Sequence, residues 1–245
     1  MAGAAILACR GALRMGAGLV TLFVEREAWP RLGALPPEVM VHPPEALAEA
    51  AGQRCDVLVI GPGLGRTADE EVRAIWAREA RPVVVDADAL NALGVPRDAP
   101  GGPRLLTPHA GEAARLLGRS RMTVEQDRLA SARDLRAIAP SILKGVHPLV
   151  TGAPVRVLRG GVPQLGTGGS GDVLAGVCGA VLARAAVTGA FREGSGAEAV
   201  RARVEACAAE AVAAHLAAGR RAGPVGVTAT EIADALVVRA RATER

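Results

Sequence analysis

One run of residues combines an acid with the means to hold an anion: Gly166-Thr167-Gly168-Gly169-Ser170-Gly171-Asp172. Glycines let successive backbone N–H groups turn toward one point, and a helix beginning near Asp172 would add the positive end of its dipole, about half an elementary charge. A phosphate fits such a cradle. The same field favours the carboxylate form of Asp172, which then stands beside the phosphate as a base for a hydroxyl proton. The chemistry this spacing suits is phosphoryl transfer. A plain loop followed by a helix-capping acid remains open as the alternative. Gly166, Gly168 and Gly171 also satisfy G-x-G-x-x-G, but the preceding Arg159-Gly160-Gly161-Val162-Pro163-Gln164 is loop-like, where a dinucleotide fingerprint needs a strand. No Gly-Lys-Ser/Thr follows, which excludes a P-loop.

Other residues with chemical capacity stand where strands should end. Asp86, Asp88 and Asn91 follow Pro82-Val83-Val84-Val85, and substrates of open parallel sheets bind at that carboxyl edge. Capping by Asp88 and solvation of Asn91 are the competing readings. His109 and Glu112 fall in the first turn of a helix expected over His109–Gly118, capped and started by Thr107-Pro108. They make a poor metal pair, although Glu112 could hold a water on Mg²⁺, which prefers carboxylates and keeps most of its waters. Lys144 is the only lysine of the chain, placed after a strand and before Gly145, a position suited to phosphate or nucleotide.

The elements that must carry these residues alternate between strand and helix. A small-residue helix over 3–17, able to approach a sheet closely, precedes a buried strand over 19–24. Strands follow over 38–41 and 56–60, the latter running into Gly61-Pro62-Gly63-Leu64-Gly65. Thr67 and Glu70 read as a capping box for a helix to Glu79. Thr123 and Gln126 open a helix to Ile138, and Ser141–Leu143 delivers Lys144. Leu149–Thr151 and Val155–Leu158 flank Gly152-Ala153-Pro154 as an antiparallel hairpin. The glycine run begins a helix to Ala185, the segment 188–196 is loose, and a long Ala-rich helix runs to Gly219. Thr228 and Glu231 cap the last helix. The expected class is α/β: a mostly parallel central sheet with helices on both faces and a small hairpin addition. A starting helix without a strand to cross from suggests that an initial strand is missing.

The 245 residues and 50% hydrophobic content suffice for one large core, built without tyrosine and with only two Phe and two Trp. Stacking platforms for nucleic acid are therefore scarce, and the net charge of +4 is dispersed over arginines, so no nucleic-acid partner is expected. Cys9, Cys55, Cys178 and Cys207 lack C-x-x-C spacing and read as reduced, buried thiols. No apolar run approaches the roughly 20 residues of a membrane span, and no charged region precedes the apolar start. A cytoplasmic protein without membrane contact is the expectation.

Five segments occur in one order: Gly61-Pro62-Gly63-Leu64-Gly65, Val85-Asp86-Ala87-Asp88-Ala89-Leu90-Asn91, Leu106-Thr107-Pro108-His109-Ala110-Gly111-Glu112, Leu143-Lys144-Gly145 and Gly168-Gly169-Ser170-Gly171-Asp172. In this the chain resembles the ADP- or ATP-dependent NAD(P)H-hydrate dehydratases of the ribokinase-like superfamily. The resemblance implies a three-layer ribokinase-like domain across 1–245 without the family's first strand. It implies a lyase that repairs the S-form of hydrated NADH or NADPH by phosphorylating the hydroxyl and expelling phosphate, with ADP or ATP as co-substrate and Mg²⁺ as cofactor. Asp172 would be the base. Ala4, Gly63, Gly65, Asp86, Asp88, Asn91, His109 and Asp172 would meet the hydrated dinucleotide. Lys144, Gly145, Val146, His147, Pro148, Gly168, Gly169, Ser170 and Gly171 would line the nucleotide site, and Glu112 would reach the metal through water. The family's habit implies a homo-oligomer. Two departures are visible: Pro148 stands where a Thr is usual, and Glu205-Ala206-Cys207-Ala208-Ala209-Glu210 reads as the replacement of the usual His-Gly-x-Ala-Gly-Asp. A kinase acting on a hydroxymethyl heterocycle would use Asp172 identically, and a nucleotide-binding relative without catalysis would share the same cradle.

Overall fold

A computed structural model describes residues 2–33, 35–42, 52–191 and 194–237. Short apolar runs form the strands. β1 (Val20–Phe23) pairs in parallel with β2 (Val39–His42). β3 (Leu58–Ile60), β4 (Val83–Val85) and β5 (Arg104–Leu106) form a parallel sheet with β4 in the middle. A parallel bridge from Leu106 to Ser141 carries this sheet on to β6 (Ile142–Leu143). Antiparallel partners β7 (Leu149–Val150) and β8 (Arg156–Val157) follow. The expected mostly parallel sheet with an added hairpin is therefore the one formed.

Strand periodicity divides the core into two layers. Side chains alternate between the faces of a strand. Val84 accordingly packs into one apolar cluster, with Leu105, Ile142 and Val150, while Val83 and Val85 pack into another with Leu106 and Leu143. The first cluster is closed by α7 (Ser170–Val187), α8 (Ala197–Arg221) and α9 (Ala229–Asp234). The second is closed by α2 (Asp69–Arg78), α3 (Ala87–Leu93), α4 (Ala110–Leu117) and α6 (Arg128–Ile138), with Val124 of α5 (Arg121–Gln126). Helices on both faces make three layers.

α7 is apolar on all sides and, at 18 residues with a mean hydropathy of 1.4, long enough by composition to be considered for a membrane span. Here 61% of it is buried inside the protein, which is the arrangement of a core helix. Its neighbour is α1 (Ala2–Arg14): Ala8 and Gly11 of α1 meet this helix, while Ala2, Ala5 and Cys9 pack with Leu22 of β1 and Val39 of β2, so the small residues serve a sheet, as their pattern suggested, and a helix besides. A Cβ on Gly176 would lie 1.8 Å from the Ala8 carbonyl oxygen, and one on Gly11 2.4 Å from that of Val173. Only glycine permits the two backbones so close an approach.

Helix starts depart from expectation where tertiary partners compete for the capping side chains. α2 is entered from Ala68 without a side-chain cap, because the Thr67 hydroxyl donates to Glu25. Ser120 accepts from the Thr123 N–H and begins α5. Asp127 then breaks the chain and caps α6 through Ala130 N–H, so the helix expected over 123–138 is two. The Thr228–Glu231 box forms as expected. β1 is not the buried strand expected: Leu22 alone is buried and Leu19 is 83% exposed, since the only strand partner of β1 among the described residues is β2. Cys9 and Cys178 are buried, whereas Cys55 and Cys207 are only half-buried, and none of the four is in a disulfide. Arg104, buried in β5, donates to the carbonyls of Ile75, Trp76 and Arg81 and so closes the end of α2.

Candidate active site

The carboxyl ends of β3 to β6 converge because each strand is followed by a turn that leans on its neighbour. Gly61, at φ +118°, lets the turn after β3 lie against β4: a Cβ there would stand 1.8 Å from the Asp86 carbonyl oxygen. Asp88 caps nothing. Its carboxylate accepts the Gly65 N–H at 2.9 Å and so ties the glycine turn to the end of β4. Between the two acids Ala87 adopts φ +46°, a left-handed backbone uncommon for a residue with a Cβ and concentrated at functional sites. Asn91, one turn later, accepts from Arg115 at 3.0 Å.

After β5 the helix begins at His109 itself, two residues beyond the expected cap. Thr107 is buried, with its hydroxyl turned to the Val85 carbonyl at 3.4 Å. His109 Nδ1 accepts the N–H groups of Gly111 and Glu112, and Glu112 returns a carboxylate oxygen to the His109 N–H at 2.8 Å, closing a capping box. Burial, with Lys144 and Arg115 nearby, lowers the His109 pKa, in keeping with a neutral ring whose Nδ1 is an acceptor. Burial raises that of Glu112 against the pull of Lys144.

Lys144 leaves β6 with its N–H bonded to the Pro108 carbonyl at 2.8 Å. Its ammonium lies 2.7 Å from Asp86 Oδ1 and 3.7 Å from Glu112 Oε2. A Cβ on Gly171 would stand 3.6 Å from Nζ, so the charge reaches the start of α7. Burial opposes protonation of Lys144, yet Asp86 and Glu112 together raise its pKa.

The glycine run closes the site from the other side of the sheet edge. Gly169, at φ +88°, precedes α7, and a Cβ on it would meet Leu7 at 2.4 Å. The Ser170 and Val173 N–H groups bond to Thr167 and Gly169 carbonyls, while those of Gly171 and Asp172 belong to the first turn, which has no intrahelical acceptors. The dipole does not dominate Asp172 as its position suggested. Burial, then the like charge of Asp86, outweighs Lys144 and raises its pKa to about 6. A carboxylate in that range is a stronger base than an ordinary one while remaining mostly ionised at pH 7.

Two cavities flank this point and share Lys144, Gly145 and Val146 as a wall. The first, about 400 Å³, includes Pro148, Ser170 and Gly171 in its lining, and the second, about 590 Å³, includes His109 and His147. Of the residues expected around a nucleotide, Gly168 and Gly169 line neither, and His147 stands on the second. Ala4 is buried in the first turn of α1.

The sequence reading missed His215. It lines the first cavity, is 5% exposed, and has Nε2 3.3 Å from Ser170 Oγ; burial drops its pKa to about 4, so it is neutral. The segment proposed in its place lies elsewhere, with Glu205 buried against Arg136 at 2.7 Å. His215-Leu216-Ala217-Ala218-Gly219-Arg220 keeps the His, Ala and Gly of His-Gly-x-Ala-Gly-Asp, ten residues further along the same helix, and that partial match is the signal the sequence carries.

The family model described as NAD(P)H-hydrate dehydratase matches residues 1–237. The bifunctional NAD(P)H-hydrate repair enzyme of Escherichia coli strain K12 is 37% identical over 222 residues, covering 82% of this chain and 41% of that protein. The ADP-dependent (S)-NAD(P)H-hydrate dehydratase of Neisseria meningitidis serogroup B is 36% identical over 219 residues, 82% of this chain and 74% of that one. The chain thus spans about two fifths of the bifunctional relatives' length. Among solved structures, a ribokinase-like superfamily protein of Enterococcus faecalis superposes with a TM-score of 0.76 at 27% identity, over 96% of this chain and 80% of that one. An ADP/ATP-dependent NAD(P)H-hydrate dehydratase of Bacillus subtilis, co-crystallised with ATP/Mg²⁺, gives 0.71 at 25% identity, over 96% and 85%. With the family match running through every strand and helix that carries the converging residues, this chain belongs to the NAD(P)H-hydrate dehydratase family and has its ribokinase-like fold.

Proposed function

We propose that this protein repairs (S)-hydrated NADH and NADPH, using ADP or ATP to phosphorylate the ring hydroxyl and then eliminating phosphate. The observation that carries the reading is the position of Asp172: a carboxylate with pKa about 6, in the first turn of α7, beside the N–H groups of that turn and within reach of the Lys144 charge.

Asp172 accepts the hydroxyl proton as the oxygen attacks the terminal phosphorus of the nucleotide. The Gly171 and Asp172 N–H groups, with the dipole of α7, stabilise the charge that develops on the transferring group. Hydroxide is a poor leaving group and phosphate a good one. The phosphate departs with both electrons of the C–O bond, pushed by the ring nitrogen's lone pair, and loss of a proton from the adjacent carbon restores the double bond. The first cavity takes the nucleotide against Val146, Pro148 and His215, and the turn at Gly63 and Gly65, held by Asp88, takes the hydrated ring together with Asp86 and His109.

Among the described residues no group of three His, Cys, Asp or Glu side chains is arranged to enclose a metal. This fits Mg²⁺, which is held largely by phosphates and water with one or two carboxylates, and Glu112 at the site's edge is suited to a water-mediated contact. When bound, Mg²⁺ would neutralise phosphate charge. The same reading takes residues 1–245 as one domain, cytoplasmic and homo-oligomeric.

The test is direct. Wild-type protein with hydrated NADH, Mg²⁺ and ADP or ATP should restore the reduced-nicotinamide absorbance, and Asp172→Asn should not. A folded wild type that restores none refutes the activity; equal recovery by the variant refutes the base.

A further inference from the structure

The second cavity is lined by six ionisable side chains, His109, Arg121, Glu125, Arg128, Lys144 and His147, and most are already committed. Lys144 is bonded to Asp86. The Arg128 guanidinium donates to the carbonyls of Leu143 and Lys144 at 3.2 Å and of His147 at 3.4 Å, and Gly145 leaves the room, since a Cβ there would lie 2.8 Å from Arg128 Nη2. His109 and His147 each use Nδ1 to accept a backbone N–H. Arg121 differs: its only ion pair among the described residues is a loose 3.6 Å contact with Glu125, the two side chains 75% and 45% exposed. Such a pair contributes little and is readily given up. Glu125 is also drawn toward Arg128 at 3.8 Å. The wall is therefore cationic, with one guanidinium free to turn, and a guanidinium fork matches the oxygens of a phosphate monoester.

The two substrates of the proposed reaction differ by one such group, the phosphate on the adenosine ribose of hydrated NADPH. His109 and Lys144, which stand at the proposed reacting centre, also line the second cavity, and its volume of about 590 Å³ is in the range of ligand pockets. We propose that this cavity seats the phosphorylated adenosine end of the hydrated dinucleotide, with Arg121 reading the phosphate that distinguishes hydrated NADPH from hydrated NADH. This rests on the dehydratase reading above. Arg128 shapes the wall and is not the reader, because three backbone carbonyls on its Nη2 hold the guanidinium in place.

The experiment compares kcat/KM on hydrated NADPH and hydrated NADH for wild type, Arg121→Gln and Glu125→Gln, together with the thermal shifts given by NADPH and NADH. Wild type should prefer the phosphorylated substrate. Arg121→Gln should lower the preference about tenfold, as for one lost charge-assisted contact, and Glu125→Gln should raise it. A wild type without preference, or a ratio that Arg121→Gln leaves unmoved, overturns the proposal. Should neither hydrate be converted, the dehydratase reading fails separately. A larger shift with NADPH than with NADH, lost in Arg121→Gln, then still supports the phosphate site, and equal shifts overturn it.

Discussion

Lys144 Nζ donates to Asp86 Oδ1 across 2.7 Å, joining the carboxyl ends of β6 and β4. The carboxylate is buried and the ammonium nearly so, with side-chain exposures of 2% and 20%. Removing one member of a buried pair leaves the other charge without compensation, at a cost of about 3–5 kcal/mol. Lys144→Met and Asp86→Asn should each fall at or below the lower end of that range, because Lys144 retains some solvent. The double variant should be less destabilised than the sum of the two. Urea unfolding of all four proteins measures this, and strict additivity would show that the pair does not couple.

Asp172 sets two pH dependences of different sign. In the proposed reaction it would act as the base while ionised, so kcat should rise with pH through about 6 and level off above 7. Its folded pKa of about 6 lies above the ordinary 3.8, so the folded protein holds this proton more tightly than the unfolded chain. The stability this contributes is complete below pH 3.8 and is lost as pH rises through about 6. Asp172→Asn should therefore melt higher than wild type at pH 8 while losing activity by a factor of about 10²–10⁴. A variant that melts lower at pH 8 would contradict the assigned burial.

Glu112 serves the helix cap with one oxygen and faces the Lys144 charge. Glu112→Ala should lose about 1 kcal/mol of stability through the broken capping box. Glu112→Gln keeps an acceptor for the His109 N–H and should retain most of that stability, yet require more Mg²⁺ for half-maximal activity. Titration with Mg²⁺, alongside thermal melting, separates the two roles. An unchanged Mg²⁺ requirement in both variants removes Glu112 from the metal's surroundings.

At the α1–α7 crossing, Gly176→Ala places a methyl group 1.8 Å from the Ala8 carbonyl oxygen and must force the helices apart. A loss of about 1–3 kcal/mol is expected, as for other overpacked cores. Gly168→Ala is the contrast, since no atom lies within 4 Å of its Cβ position, and the melting temperature should barely move. Comparable losses in both would mean that the crossing accommodates a methyl group at Gly176.

Much of the site could be read along the chain because strand ends announce themselves. Val83-Val84-Val85 followed by acid, Leu105-Leu106 followed by Thr-Pro-His, and Ile142-Leu143 followed by the lone lysine each place a reactive side chain at the sheet edge, and the glycine run marks its own helix start. What escaped were choices between partners. Thr67 and Thr107 carry good capping side chains, but Glu25 and the Val85 carbonyl take them, and both partners are distant in sequence. His215 was overlooked in an alanine-rich helix whose pattern does not say which face meets the glycine loop.

By itself the sequence determined the α/β alternation and the glycine run that opens a helix with Asp172 in its first turn, because these follow from local periodicity, glycine freedom and a helix start. Only the tertiary structure decided that Asp172 is raised to about 6 by burial and Asp86, where the dipole alone would lower it. It also decided that Lys144 is bound to Asp86, and that Arg128 is committed to carbonyls while Arg121 keeps only a loose pair. Those are properties of charges brought together from separate strand ends and helices, and their sign depends on distance and burial that no single stretch of chain encodes.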